Sequence, residues 1–215
     1  RKTLRIMSGS QGVSNFRPTA ENEIYNRFLQ EGGTTWDMSG GYGGRLLGAI
    51  KSQINYITTE PTEKTVIGLK EISHYHGGIA NLFRNKPYYE ILQQGSEDFT
   101  PDKESLDLCF TSPPYFDTEK YSDEETQSYI KFPTKDEWVN GFLRKTIQNC
   151  RYGLKQHRYM LINIANVKSF NDLENITINV AKEEGFNHEE TYRLTLSKIH
   201  GNGFKYEPIF VFRKI

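Results

Sequence analysis

Thr34-Thr-Trp-Asp-Met-Ser-Gly-Gly-Tyr-Gly-Gly-Arg45 passes within twelve residues from a short strand pattern, through four glycines, to the start of a helix. Thr34 to Asp37 reads as the strand, and Arg45-Leu-Leu-Gly-Ala-Ile-Lys-Ser-Gln53 carries helical periodicity. Glycine lets a backbone turn tightly and approach a ligand with no Cβ in the way. A strand, a glycine-rich loop and a helix in that order can form a nucleotide pocket or an ordinary tight turn. A second observation separates the two readings. The next strand, Asn55 to Glu60, ends on a carboxylate about 20 residues downstream, where ribose hydroxyls would be accepted.

The loop has no Gly-Lys-Ser/Thr, which argues against a nucleoside triphosphate, and its spacing departs from G-x-G-x-x-G, which argues against a dinucleotide. An acidic residue ahead of the glycines repels phosphate and suits an ammonium group. Asp37 therefore favours a zwitterionic ligand bearing adenosine, and S-adenosylmethionine fits that description.

Working outward, further strands are expected at Tyr88–Gln93, Leu106–Thr111, Tyr159–Ile164, 190–197 and Glu207–Lys214. Helices are expected at 20–31, at 62–84 with a break near His76-Gly77-Gly78, at Lys135–Tyr152 and at 171–184. Residues 117–134 read as a long polar loop. Strands alternating with helices predict an α/β fold: a Rossmann-like, seven-stranded mixed sheet with helices on both faces, formed by one domain over 1–215. The closing pair of strands predicts an antiparallel edge. Ligands of such sheets bind beyond the carboxyl ends of the strands, so the glycine loop and the segment after Thr111 share one rim.

Directly after Thr111 comes Ser112-Pro113-Pro114-Tyr115, a stiff corner carrying an aromatic ring. A proline offers a carbonyl but no N–H, so Pro113 can accept a hydrogen bond in a fixed direction. The Ser112 hydroxyl is a second acceptor. Two acceptors around an exocyclic amine draw its hydrogens out of plane and expose a lone pair otherwise delocalised into the ring. Tyr115 supplies a face for an extruded base, worth roughly 1–3 kcal/mol of stacking. That is comparable to the few kcal/mol that unstacking a base requires. The bland alternative is a proline turn that ends a strand, with the tyrosine filling a groove.

Through the corner and the glycine loop together, the chain resembles the amino-directed DNA methyltransferases, which modify N6 of adenine or N4 of cytosine with S-adenosylmethionine. Their tetrapeptide [DNS]-PP-[YFW] is matched by Ser112-Pro113-Pro114-Tyr115. The family's cofactor loop corresponds to Asp37, Ser39, Gly40, Gly41, Tyr42 and Gly43, with Gly-Gly-Tyr-Gly-Gly in place of the more usual F-x-G-x-G. Its acidic residue after the second strand corresponds to Glu60. Its F-x-P element, which contacts the methionine end, resembles Phe16-Arg17-Pro18. Its acidic residue after the third strand falls at Ser96, with Glu97 or Asp98 as the carboxylate that would read the adenine. Glu207-Pro-Ile-Phe-Val-Phe resembles the closing strand. The resemblance implies S-adenosylmethionine as cofactor and DNA as partner. A serine opening the tetrapeptide leans toward cytosine N4 over adenine N6. The same corner on an amide or amine of protein or RNA is one rival, and a non-catalytic, nucleic-acid-binding subunit is another.

Composition limits the field less. The 215 residues carry 27 basic and 27 acidic side chains, which neither demands nor forbids a polyanionic partner. Cys109 and Cys150 read as small buried hydrophobes in a reducing compartment. No apolar run approaches the roughly 20 residues that span a bilayer, so a cytosolic chain without a membrane partner is expected. His74 and His76 read as a solvated helix end, with no ligand-spaced carboxylate or cysteine to make a metal site. The cations Arg144, Lys145, Arg151, Lys155 and Arg158 offer either phosphate contact or a solvated face. Residues 117–134 are expected to close over the base or to be disordered without DNA. No separate target-recognition region is evident, so a second chain or sequence before Arg1 is expected to supply one.

Overall fold

A computed structural model of the chain describes residues 16–80, 87–118, 122–198 and 204–215. Seven strands form one sheet: β1 (Thr34–Asp37), β2 (Asn55–Thr59), β3 (Tyr89–Leu92), β4 (Leu106–Thr111), β5 (Leu154–Asn163), β6 (Phe186–Lys198) and β7 (Phe204–Lys214). Their order is β3-β2-β1-β4-β5-β7-β6. The pairs β3–β2, β2–β1, β1–β4 and β4–β5 are parallel, while β7 runs antiparallel to both β5 and β6. The closing hairpin is thus as expected, but its last strand is inserted between β5 and β6, and β6 holds the edge. The chain order reverses between β1 and β4, and at such a switch point the loops diverge and leave a crevice.

The sheet is covered on both faces. Helices α1 (Pro18–Phe28), α2 (Gly44–Ser52) and α3 (Glu63–Ala80) lie on one side, where Ile24, Tyr25, Leu46, Ala49 and Leu69 join Tyr56, Leu108, Phe110, Leu161, Ile209 and Val211. The opposite face packs Trp36, Cys109, Met160, Ile162, Phe210 and Phe212 against Trp138, Phe142, Ile147, Cys150, Leu173 and Val180. The second set of packing residues comes from a π-helical stretch (Trp138–Arg144), which continues the short α5 (Lys135–Glu137), and from α6 (Lys145–Gly153) and α7 (Leu173–Glu183). The strict alternation Leu108/Phe110 against Cys109 is the period-2 signature of a strand buried on both faces.

Three expectations change. Helix α3 runs unbroken through Gly77 and Gly78 to Ala80, since an interior glycine weakens a helix by only about 1 kcal/mol; residues 81–84 lie outside the described residues. The polar stretch 117–134 contains a helical turn, α4 (Ser128–Lys131). Strands β5 and β6 begin earlier than their apolar patterns suggest, because a buried first residue, Leu154 or Phe186, is followed by polar residues, most of them exposed, that break the pattern. Helix α5 starts on a capping box, Thr134 accepting from the Glu137 amide at 3.2 Å while Glu137 accepts from the Thr134 amide at 3.1 Å. The basic stretch is largely committed: Arg144 pairs with Glu183 and Glu184, and Lys155 and Arg158 of β5 pair with Asp107 at the amino end of β4, away from the rim. No helix among the described residues is long and apolar enough to cross a membrane.

Candidate functional site

A cavity of about 390 Å³ opens at the carboxyl rim, within the size range of small-molecule sites. Ser39, Gly40, Gly41 and Tyr42 of the glycine loop line it, as do Glu60 and Pro61 after β2, Gly95, Ser96 and Glu97 after β3, and Ser112, Pro114 and Tyr115 after β4. Phe16 and Arg17, just ahead of α1, also line it, with Arg45, Gln127, Phe142, Asn163 and Glu207. Among the expected site residues, Pro18, Asp37, Gly43 and Pro113 stand behind this lining.

The loop geometry follows from its glycines. Gly43 takes φ 84°, a left-handed conformation, as the residue before α2. A Cβ on Gly40 would sit 2.7 Å from Thr58 Oγ1, so the loop lies closer to β2 than any side chain permits. Glu60 fixes the loop from the other side, accepting from the Gly41 amide at 3.1 Å and from the Thr62 amide at 3.0 Å. Burial raises its pKa, and these amide bonds oppose the rise.

Asp37 is fully buried, and its carboxylate is surrounded by protein donors: Arg45 Nε at 2.7 Å, Tyr56 Oη at 2.5 Å, the Ser39 amide at 3.1 Å and Thr111 Oγ1 at 3.2 Å. It therefore braces the loop from beneath and shows no open face for an ammonium group. Arg45, which carries no motif signal in the sequence, lines the cavity, donates to the Ser39 carbonyl, and lies with its guanidinium 5.9 Å from the centre of the Phe16 ring. Phe16 in turn meets Phe110 edge-to-face at 5.5 Å. Pro18 occupies the first turn of α1, where its missing N–H removes no helical bond.

Beyond β3 the two candidate carboxylates separate. Asp98 is exposed, whereas Glu97 is buried and lines the cavity. Lys131 Nζ reaches Glu97 Oε1 at 2.6 Å and Asp98 at 2.7 Å. Glu97 Oε2 is buried with no hydrogen-bond partner, an acceptor awaiting a donor. Ser96 is bound to Thr146 at 2.7 Å. The segment 124–131 lies across this end of the cavity, with Gln127 donating to Thr62 at 3.0 Å and Trp138 donating to Ser128 at 3.2 Å. It packs on the loops that follow β2 and β3. Gln127 sits in a polar stretch, and nothing in the sequence marks it as buried.

On the far side, Pro113 is buried while Ser112, Pro114 and Tyr115 are half-buried. Tyr115 directs its hydroxyl at the Asn163 carbonyl, 3.5 Å away at the end of β5. The glycine loop and the Ser-Pro-Pro-Tyr corner thus form two walls of one cavity.

No family model and no curated protein matches this sequence. Solved structures do match in fold. An S-adenosylmethionine-dependent methyltransferase from Methanosarcina mazei superposes with a TM-score of 0.62 at 11% identity, over 89% of this chain and 97% of that one. A candidate RNA methyltransferase from Pyrococcus horikoshii gives 0.57 at 16% identity, over 100% and 99% of the two chains. The cyclase SpnF gives 0.63 at 9% identity, over 95% and 86%. One architecture carrying both methyltransferases and a cyclase means that chemistry has to be argued from the site. With its strand order, its switch-point cavity and these neighbours, the chain has the Rossmann-like, seven-stranded fold of the class I S-adenosylmethionine-dependent methyltransferases.

Proposed function

We propose that this protein is an S-adenosylmethionine-dependent DNA methyltransferase acting on the exocyclic amine of an extruded base, with cytosine N4 favoured over adenine N6. The observation that carries this reading is the meeting of the glycine loop, Glu60 and Glu97 with Ser112, Pro114 and Tyr115 around one cavity. The first group suits adenosine: Glu60 keeps lone pairs for ribose hydroxyls, and the unpartnered Glu97 Oε2 suits the adenine amino group. Phe16, Arg17 and Arg45 lie where the methionine end would extend. The bound cofactor supplies an electrophilic sulfonium methyl. The chain supplies Ser112 Oγ and the Pro113 carbonyl as acceptors for the amine hydrogens, the Tyr115 ring as a stacking face, and a position in line with the methyl, which is most of what such a transfer needs. Target recognition falls to a partner chain or to sequence outside these residues.

Incubation with labelled S-adenosylmethionine and mixed-sequence duplex DNA, then nucleoside digestion and mass spectrometry, is expected to give N4-methylcytosine. N6-methyladenine would keep the mechanism and change the base. Methyl transfer to RNA or protein alone would overturn the DNA reading. Ser112→Ala is expected to slow transfer about tenfold, the scale of one lost hydrogen bond, with S-adenosylhomocysteine affinity unchanged.

Gly95 gives a test of the adenosine half. A Cβ there would stand 2.3 Å from Glu97 Oε2. Gly95→Ala is expected to push the carboxylate aside and weaken S-adenosylhomocysteine binding about tenfold by calorimetry, with little change in melting temperature. Unchanged affinity would remove Glu97 from the cofactor site.

A further inference from the structure

On three strands the core-facing stripe gives way, toward the carboxyl rim of the parallel strands, to a polar side chain. On β4 the stripe Leu108, Phe110 continues to Ser112; on β5 Tyr159, Leu161 continues to Asn163; on β7 Val211, Ile209 continues to Glu207. These strands are adjacent, and the pairing of Thr111 with Ile162 places Ser112 beside Asn163 in the same ladder. Asn163 is paired with Ile209, which puts Glu207 just beyond it on the rim. All three residues line the cavity, with Leu194 across from Glu207 on β6. Cofactor-side residues come from β1, β2 and β3, so this row belongs to the other half of the cavity.

The row presents acceptors. Asn163 is 1% exposed, and its Nδ2 is fixed on the Pro208 carbonyl at 2.9 Å. That bond assigns the donor end of the amide to the protein and leaves Oδ1 as the end offered to a ligand. Ser112 offers a hydroxyl oxygen. Glu207 adds a carboxylate, an acceptor-only group when ionised, to the same lining. The spacing matters as much as the chemistry. Neighbouring strands lie about 4.8 Å apart. Two acceptors serving the two hydrogens of one planar amine, each about 2.9 Å from the nitrogen along bonds near 120° apart, stand about 5 Å from each other.

We infer that Asn163 and Glu207, with Ser112, form the target subsite that selects a planar –NH₂ group over a keto oxygen. Asn163 Oδ1 shares with the Pro113 carbonyl the amine hydrogen that Ser112 does not take, in a three-centre bond, and Glu207 extends the acceptor wall. A keto group in the same place would face acceptors on every side and leave buried lone pairs unpaired, the arrangement by which a polar site rejects an analogue most strongly. The inference rests on the proposed function and adds positioning residues from β5 and β7, which the tetrapeptide does not contain.

The test titrates wild-type protein, Asn163→Ala and Glu207→Gln with deoxycytidine, deoxyadenosine and thymidine, with and without saturating S-adenosylhomocysteine. At least one amine nucleoside is expected to bind wild type at least tenfold more tightly than thymidine. Asn163→Ala is expected to shrink that ratio to threefold or less, and Glu207→Gln to shrink it as well, because its amide offers the keto oxygen a donor. Affinity for S-adenosylhomocysteine is expected to stay within twofold in both variants, which a general loss of structure would not allow. Should Asn163→Ala fail to fold through loss of the Pro208 bond, Glu207→Gln on the rim carries the test alone. Equal wild-type binding of thymidine and the amine nucleosides, or a tenfold gap that survives in every variant that folds, overturns the inference. Absence of S-adenosylhomocysteine binding in wild type counts against the proposed function instead; the nucleoside ratios measured without it still decide the row.

Discussion

Glu21→Gln is expected to make the protein more stable at neutral pH, by about 3 kcal/mol at pH 7, with an advantage that grows as the pH rises. Glu21 lies in α1 with no exposed surface, and neither carboxyl oxygen has a hydrogen-bond partner. It is pressed against α2 at Gly48, where a Cβ would stand 2.8 Å from Glu21 Cβ. Burial pushes its pKa from 4.5 up to about 9; the Arg45 charge lowers it and the Asp37 charge raises it. Between those two values the unfolded chain has released the proton and the native state still holds it. The native state therefore binds more protons across that window, and stability falls with rising pH by about 1.4 kcal/mol per unit. From 4.5 to 7 the loss is about 3 kcal/mol. Glutamine has the same shape and no proton to lose. Urea melts of both proteins at intervals from pH 5 to 9 should show the gap widening steadily. A gap independent of pH would mean that Glu21 is ionised in the native state.

The retention of so costly a group beside the glycine loop has a local rationale. Arg45 already neutralises Asp37. A second carboxylate ionised at the same guanidinium would leave one negative charge unbalanced in a dry site, so a neutral Glu21 keeps the pair in balance.

Glu21 also marks where sequence reading stops. The strand Thr34–Asp37, the glycine loop and the β4 strand before Ser112 were legible because glycine, proline and unbroken apolar runs have few alternatives. A glutamate in an amphipathic helix reads as part of the solvated face, and only the packing of α1 on α2 reveals it as buried. Arg45 goes unmarked in the sequence for the same reason: an arginine at the start of a helix ordinarily points to water, and its partner Asp37 is eight residues away across a turn. Asn163 is a single polar residue at a strand end, a common way for strands to finish, and Glu207 is one polar residue within the exposed opening of β7. Their significance comes from the strand order, which sets β7 beside β5, and no local pattern announces that insertion. The early part of β5 escaped because Lys155 to His157 are polar and His157 takes φ 62°, an irregularity hidden in a loop-like composition.

Arg45→Met is expected to destabilise the protein by about 3–5 kcal/mol, the range for breaking a buried ion pair from one side. The Asp37 carboxylate is fully buried, and Tyr56, Thr111 and the Ser39 amide would be its remaining donors. Three hydrogen bonds do not replace a counter-charge in a low-dielectric interior, so the carboxyl would take up a proton or the loop would open to water. Burial by itself would lower the Arg45 pKa, but the Asp37 charge and its hydrogen bond oppose that and hold the guanidinium ionised, so the lost partner is a full positive charge. The loop would suffer twice, because Arg45 also donates to the Ser39 carbonyl at the cavity wall. The double variant Asp37→Asn/Arg45→Met removes both charges while leaving an amide that can still accept from Tyr56. It is expected to recover at least 1 kcal/mol relative to the sum of the two single changes, the signature of coupled groups. Denaturant melts of the four proteins in the cycle measure that recovery. Additive single effects would mean that Asp37 and Arg45 act independently, and the loop would then owe its shape to the glycines and Glu60 alone.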